Sequence, residues 1–292
     1  MAIKLVINGF FRSGTSIIWQ ILKLSNPQML VFYEPSHKNL IKILKKYKSN
    51  YKNDKGFNMH GMKLWEEYFF KKDFIKIVQQ YHPNKNIAVP NSYDKLREYI
   101  FQFSILHKDV VLQTNRWHDF FGKIKNESVR CLHIIRNPID VYESLIRYSF
   151  SSLSTYKKII KNSFPKYFYW KMFDVNFWYK HYKNDFDNLI IPQTPFEQFF
   201  IVWVISNYNA ISSLDVNEVL LYEDLINDPK NNTKYFKENN IEFDYRNQLR
   251  LRRIDNISDL YCNSDLKKLS QNLNISNQYQ KIVNIIKLKN EV

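Results

Sequence analysis

Gly9-Phe10-Phe11-Arg12-Ser13-Gly14-Thr15-Ser16 is the stretch of this chain with the plainest capacity for chemistry. It follows the apolar run Ile3–Ile7 and precedes Ile17, Ile18, Ile21 and Leu22, which recur at helical spacing. A strand that empties through a glycine-bearing loop into a helix N-terminus forms an anion site. Backbone N–H groups converge there, and the helix dipole adds roughly half a positive charge. Gly9 and Gly14 let the backbone approach an anion with no Cβ in the way, and they are two of only five glycines in the chain. The pattern approaches the G-x-x-x-x-G-K-[ST] loop of ATP- and GTP-binding proteins, but Thr15 stands at the lysine position and the positive charge has moved to Arg12. No apolar strand ends in an aspartate suited to holding Mg²⁺. Chemistry on β- and γ-phosphates, which needs both, is disfavoured. A nucleotide with a single 5′ phosphate group fits better.

A second anion site is predicted where Cys131-Leu132-His133-Ile134-Ile135 ends at Arg136-Asn137-Pro138-Ile139-Asp140. Asn137 suits an N-cap, Pro138 suits the first helical position, and Asp140 falls where a capping box would place an acid. Arg136 then stands beside a helix N-terminus, with Ser144 two turns along that helix. An arginine and a hydroxyl so placed can hold a phosphate by charge-assisted hydrogen bonds. Taken alone, this segment also reads as a capped structural helix.

Glu34, in Val31-Phe32-Tyr33-Glu34-Pro35, follows the second predicted strand at its carboxyl end. A partly desolvated carboxylate there could take a proton from an acceptor hydroxyl. A salt-bridge or helix-start role is the bland alternative. His37, His60 and His118 are rival bases.

The two loops together, G-x-x-R-S-G-T-S and I-I-R-N-P-x-D-V-x-x-S, resemble the sulfotransferases that use 3′-phosphoadenosine-5′-phosphosulfate (PAPS). A third stretch agrees: Trp203-x-x-x-Asn207, then Tyr222-Glu223-Asp224-Leu225 after an apolar strand. The ordered resemblance runs from about Ile3 to Pro229, and its motif style is nearest to carbohydrate, protein-tyrosine and bacterial members. It implies that Arg12, Ser13, Gly14, Thr15 and Ser16 hold the 5′-phosphosulfate end, Arg136 and Ser144 the 3′-phosphate, and Tyr222 the adenine. It further implies in-line transfer to an acceptor hydroxyl (less readily an amine) with 3′,5′-ADP as product, no metal, and a glycan as acceptor. Glu34 stands 22 residues after Arg12, close to the placement of a glutamate base in carbohydrate members. Where some members carry a histidine base, after the strand ending Gln113-Thr114, this chain has Asn115 and then Arg116. It also lacks a basic R-K-G element near the C-terminus, and Arg250, Arg252 and Arg253 are candidates to replace it.

These loops need a scaffold that presents them at one edge. Apolar β-branched runs at Ile3–Ile7, Met29–Phe32, Val110–Leu112, Val129–Ile135 and Glu218–Leu221 alternate with helical periodicity at Thr15–Leu24, Tyr93–Leu106, Pro138–Tyr148 and Phe196–Leu214. Short, wholly apolar strands alternating with helices predict an α/β, three-layer, P-loop-like fold around a central, mostly parallel sheet, with ligands beyond the strands' carboxyl ends. No linker or repeat divides residues 1–292, which read as a single domain. Its one break is a helical insertion over about 149–193, dense in aromatics from Phe164 to Tyr182, which could line the acceptor site or pack a core of its own.

Composition narrows the partners. Forty-three basic against 28 acidic residues give a net charge of +15, which favours anionic ligands, although an AT-rich coding bias toward lysine also explains part of it. No apolar run reaches membrane-spanning length. Two cysteines, Cys131 and Cys262, form no ligand spacing and point to a reducing, cytoplasmic setting. Two rival classes stay open: an ATP-dependent phosphotransferase, and a non-catalytic glycan- or nucleic-acid-binding protein on this scaffold.

Overall fold

The computed structural model describes residues 3–50, 58–59, 62–83, 90, 92–127, 129–149, 175–186, 188–246, 249 and 257–291. Five strands, β1 (Ile3–Gly9), β2 (Leu30–Tyr33), β3 (Val110–Thr114), β4 (Cys131–Ile135) and β5 (Val219–Leu221), form an all-parallel sheet in the order β2-β3-β1-β4-β5. Lys4 apart, every strand residue is buried, as the uninterrupted apolar runs require of a sheet covered on both faces. The fold is thus the α/β class expected from the alternation of runs.

The helices are α1 (Thr15–Ser25), α2 (Leu40–Asn50), α3 (Lys72–Tyr81), α4 (Tyr93–Leu106), α5 (Phe121–Asn126), α6 (Pro138–Ser149), α7 (Val175–Asp185) and α8 (Pro195–Ile211). After β5 come α9 (Tyr222–Asn227), α10 (Pro229–Asn232), α11 (Lys234–Glu238), α12 (Ile257–Tyr261), α13 (Ser264–Asn272) and α14 (Ser276–Glu291). From β1 the chain crosses past β3 to β2, whereas from β4 it runs the other way to β5. With right-handed crossovers, these connections leave on opposite faces and open a crevice between the carboxyl ends of β1 and β4. Both loops singled out in the sequence end at that crevice.

Helix α8 forms the centre of the second half of the core. Thr194 and Glu197 cap it reciprocally and Pro195 opens it. Phe199 through Ile205 are all fully buried, so this helix is apolar all round and lies inside the protein. It ends at Ile211 rather than Leu214: Ser212 makes the last helical bond, to Tyr208 O, and Leu214 closes a tighter turn onto Ile211 O. Likewise β5 starts at Val219, not Glu218, since Val216–Glu218 is a tight turn capped by Asp215.

Of the aromatic series, residues 150–174 lie outside the described residues. The described part is α7, which packs on α8: Trp178, Tyr179 and Tyr182 are buried, and the Tyr182 hydroxyl meets Ser206 Oγ at 2.9 Å. This half of the insertion makes core, and Phe177 alone of its rings is exposed. No described helix is long and apolar enough to cross a membrane.

Candidate functional site

The first loop is built around its two glycines. A Cβ on Gly9 would meet Ser13 Oγ at 2.6 Å and Ile134 O at 2.9 Å, so the turn closes against β4 only without one. Gly14 has φ 100°, the left-handed region, and a Cβ there would strike the Tyr222 ring. Gly14 is also the N-cap of α1, and no side chain caps that helix. Ile17 N–H turns back to Gly14 O, so the amides of Thr15 and Ser16 are the ones that face an outside acceptor. Ser13 is fully buried, and its hydroxyl has no partner among the described residues. Such an atom costs free energy unless something completes it.

The second loop meets the first directly. Arg136 donates from Nη1 to Arg12 O at 3.1 Å, and its guanidinium lies 4.6 Å from the centroid of the Tyr222 ring. Its Nε is buried and lacks a partner among the described residues. Asn137 caps α6 as expected, its Oδ1 accepting from the amides of Ile139 (2.9 Å) and Asp140 (3.3 Å). Asp140 lies in the first turn of α6. Arg12 Nε donates to Ser144 Oγ at 3.0 Å. The residues assigned from sequence to two ends of a ligand, Arg12 to one and Arg136 with Ser144 to the other, are therefore one joined cluster. Ser16 Oγ and the Tyr33 hydroxyl are 3.2 Å apart. One face of the Tyr222 ring is taken by Arg136 and one edge by Gly14.

Glu34 closes the other side. It is 8% exposed and follows β2 with φ 41°. Arg12 (φ 65°) and Glu34 are both non-glycine residues held in the left-handed region, a strain of order 1–3 kcal/mol each that persists where surrounding structure imposes it. Asn115 Nδ2 donates to Glu34 Oε1 at 2.8 Å, while Asn115 Oδ1 accepts from Thr15 Oγ1 at 2.9 Å and Gln113 Nε2 at 3.1 Å. The chain Thr15–Asn115–Glu34 ties the carboxylate to the first turn of α1. Arg116 is buried next to it, its guanidinium 5.2 Å from the Phe11 ring centroid.

The histidine rivals behave differently. His118 is fully buried, its Nε2 at 3.1 Å from Asn115 O and its Nδ1 at 3.0 Å from Asn8 Nδ2. Burial pushes it down to about 4. His133, which the sequence reading passed over, meets Asn8 Nδ2 (3.2 Å) and Asn207 Oδ1 (2.9 Å), and burial lowers it to about 3. Asn8, His118, His133 and Asn207 form a buried polar network beneath the loop that orients neutral rings. Its only sequence signal is a polar residue inside each of two apolar strands. His37 accepts from Asn39 N at 3.2 Å; burial, helped by the charge of Arg116, lowers it to about 3. His60, Arg250, Arg252 and Arg253 lie outside the described residues.

Comparison with known proteins adds little that is specific. No protein-family model matches the chain. An uncharacterized protein of Archaeoglobus fulgidus is 28% identical over 269 residues, covering 80% of this chain and 82% of that one. Among solved structures, a sulfotransferase domain from the curacin biosynthetic pathway aligns over 92% of this chain and 96% of its own, at 13% identity and a TM-score of 0.44. A likeness that shallow assigns no activity.

Proposed function

We propose that this chain transfers a sulfuryl group from PAPS to a hydroxyl of an acceptor, a carbohydrate, and releases 3′,5′-ADP. The observation that carries the reading is the joining of Arg12, Ser144 and Arg136 at an uncapped helix N-terminus with Tyr222 alongside. The residues fit such a nucleotide: the Ser13 hydroxyl and Arg136 Nε are buried donors without an acceptor among the described residues, and no side chain caps α1 at Gly14. Arg136 and Ser144 would hold a 3′-phosphate. Ser13 through Ser16 and Arg12 would hold the 5′ end.

PAPS supplies an activated sulfuryl group whose leaving group is the nucleotide 5′-phosphate. The new bond joins acceptor oxygen to sulfur, the bond from sulfur to the phosphate oxygen breaks, and the acceptor proton passes to the Glu34 carboxylate. Charge growing on the departing oxygen is met by the α1 amides and by Arg12, whose bond to Ser144 lets one guanidinium serve both phosphate ends. Asn115 holds the Glu34 carboxylate by one oxygen at the edge of the crevice. The carbohydrate assignment rests on resemblance, in the Arg12 form of the loop and the position of Glu34.

Calorimetric titration with 3′,5′-ADP, 5′-AMP and ATP–Mg²⁺ tests the reading. It expects tight binding of 3′,5′-ADP, weak binding of 5′-AMP, and transfer of label from ³⁵S-PAPS to oligosaccharides. Preference for ATP–Mg²⁺ would turn the assignment to phosphoryl transfer.

A further inference from the structure

Directly after β5, Tyr222 and Glu223 stand behind the Arg136–Asn137 turn. Glu223 is 1% exposed, a carboxylate in the interior, and both of its oxygens are occupied. Oε1 accepts the main-chain N–H of Asn137 at 2.9 Å, and Oε2 accepts the hydroxyl of Tyr261, itself fully buried in α12. Asn137 is also tied to that helix from the other side, donating from Nδ2 to Leu260 O at 2.7 Å. The Tyr279 hydroxyl of α14 donates to Tyr261 O, and Trp203 Nε1 donates to Arg136 O at 3.2 Å. The main-chain carbonyl of Arg136 and the main-chain N–H and side chain of Asn137 are therefore all held from behind the turn.

Fold maintenance alone does not call for this arrangement. Asn137 already caps α6 with its own side chain, and a main-chain carbonyl could satisfy its N–H with no buried charge. Burial works against the Glu223 carboxylate and raises it to about 7, and the Arg136 charge is among the groups that pull it back. A charge kept in the interior, where desolvation costs several kcal/mol, is explained when it orients a second charge that does the binding. Tyr261 lies in the stretch beyond Pro229, where no sequence pattern gave it a role.

Resting on the sulfotransferase reading, we propose that Glu223 and Tyr261 are positioning residues for the 3′-phosphate half of the site. They fix the Arg136–Asn137 turn so that the guanidinium meets a 3′-phosphate, and neither of them hydrogen-bonds the 5′ half, built on α1, among the described residues. The same pair thereby sets the preference for a nucleotide carrying a 3′-phosphate over one without.

The test compares the dissociation constants of 3′,5′-ADP and 5′-AMP for the full chain and three variants. Tyr261→Phe, which deletes one oxygen atom, is expected to weaken 3′,5′-ADP about tenfold, as for one charge-assisted hydrogen bond, and to leave 5′-AMP unchanged. Glu223→Ala is expected to abolish the discrimination, and Glu223→Gln, which keeps an acceptor for Asn137 N–H, to restore most of it. Equal losses for both ligands, or an unaltered ratio in Tyr261→Phe and Glu223→Ala, would overturn the positioning role. A wild-type protein that does not distinguish the two nucleotides would instead overturn the sulfotransferase reading, and this inference with it.

Discussion

Asn115 donates its amide hydrogen to Glu34 Oε1 at 2.8 Å while its carbonyl oxygen receives the Thr15 hydroxyl at 2.9 Å. One side chain thus links the first loop to the carboxylate across the crevice. The sequence position that suggested a missing histidine base is filled by the residue that holds the glutamate.

Asn115→Asp should expose this dependence. A carboxylate at 115 cannot donate to Glu34, and two carboxyl groups in contact raise the pKa of the pair. The acid limb of the kcat–pH profile is expected to move up by about one unit or more, with little change in affinity for 3′,5′-ADP. An unmoved acid limb would remove Glu34 as the base.

Gly14→Ala should be costly for two separable reasons, the positive φ and the collision with Tyr222. We expect a loss of about 1–3 kcal/mol in urea unfolding and loss of nucleotide binding. Adding Tyr222→Ala should relieve the collision and recover part of the stability, but not the backbone part.

Arg136→Ala should weaken 3′,5′-ADP by roughly 1.5–3 kcal/mol, the range for a hydrogen bond to a charged group. Isothermal titration of a folded variant with unchanged affinity would take Arg136 out of the ligand site.

Two opposed trends should appear in stability against pH. His118 and His133 are neutral in the fold and lowered to about 4 and about 3, so the unfolded chain binds protons below about 6.5 that the folded chain refuses. Stability is present above that pH and is lost as pH falls toward 4. Glu223 runs the other way: its folded value, raised to about 7, makes the folded chain hold a proton that the unfolded chain releases near 4.5. Stability is lost as pH rises from 4.5 to 7, by up to about 3 kcal/mol. Thermal melting of Glu223→Gln should show a gain over wild type that grows across that window and levels off above it.

Much of this was legible in the residues. The strands could be placed because a doubly covered sheet demands continuous apolar runs, and α4 falls on the predicted residues Tyr93–Leu106 because Ser92 caps it and its apolar positions repeat on one face. The tight turn between β1 and α1 was legible because Gly9 and Gly14 have few other reasons to stand six positions apart, counted inclusively, in a chain so poor in glycine. Side-chain direction was not. That Arg12 turns to Ser144 depends on β1 and β4 lying side by side, across 132 residues of sequence. The Asn8–His118–His133–Asn207 network and the Glu223–Tyr261 bond join residues from four and two separate segments, and no local period encodes such pairings. The aromatic series left two readings open, an acceptor wall or a core of its own, because spacing alone could not separate rings that face α8 from rings that face outward.

The place of β1 in the sheet has a consequence for how the chain is made. It is the central strand, paired on one side with Val110–Thr114 and on the other with Cys131–Ile135, and both partners lie more than a hundred residues downstream. A ribosome adding about 5–20 residues each second takes roughly 5–20 seconds to deliver the first of them. For that interval Ile3–Gly9 is an apolar segment with both edges open, the kind of sequence that holdase chaperones cover and that aggregates recruit. The strand that anchors the anion loop is synthesised early and clothed late, so the yield of folded protein in a cell depends on what shields seven residues before their neighbours exist.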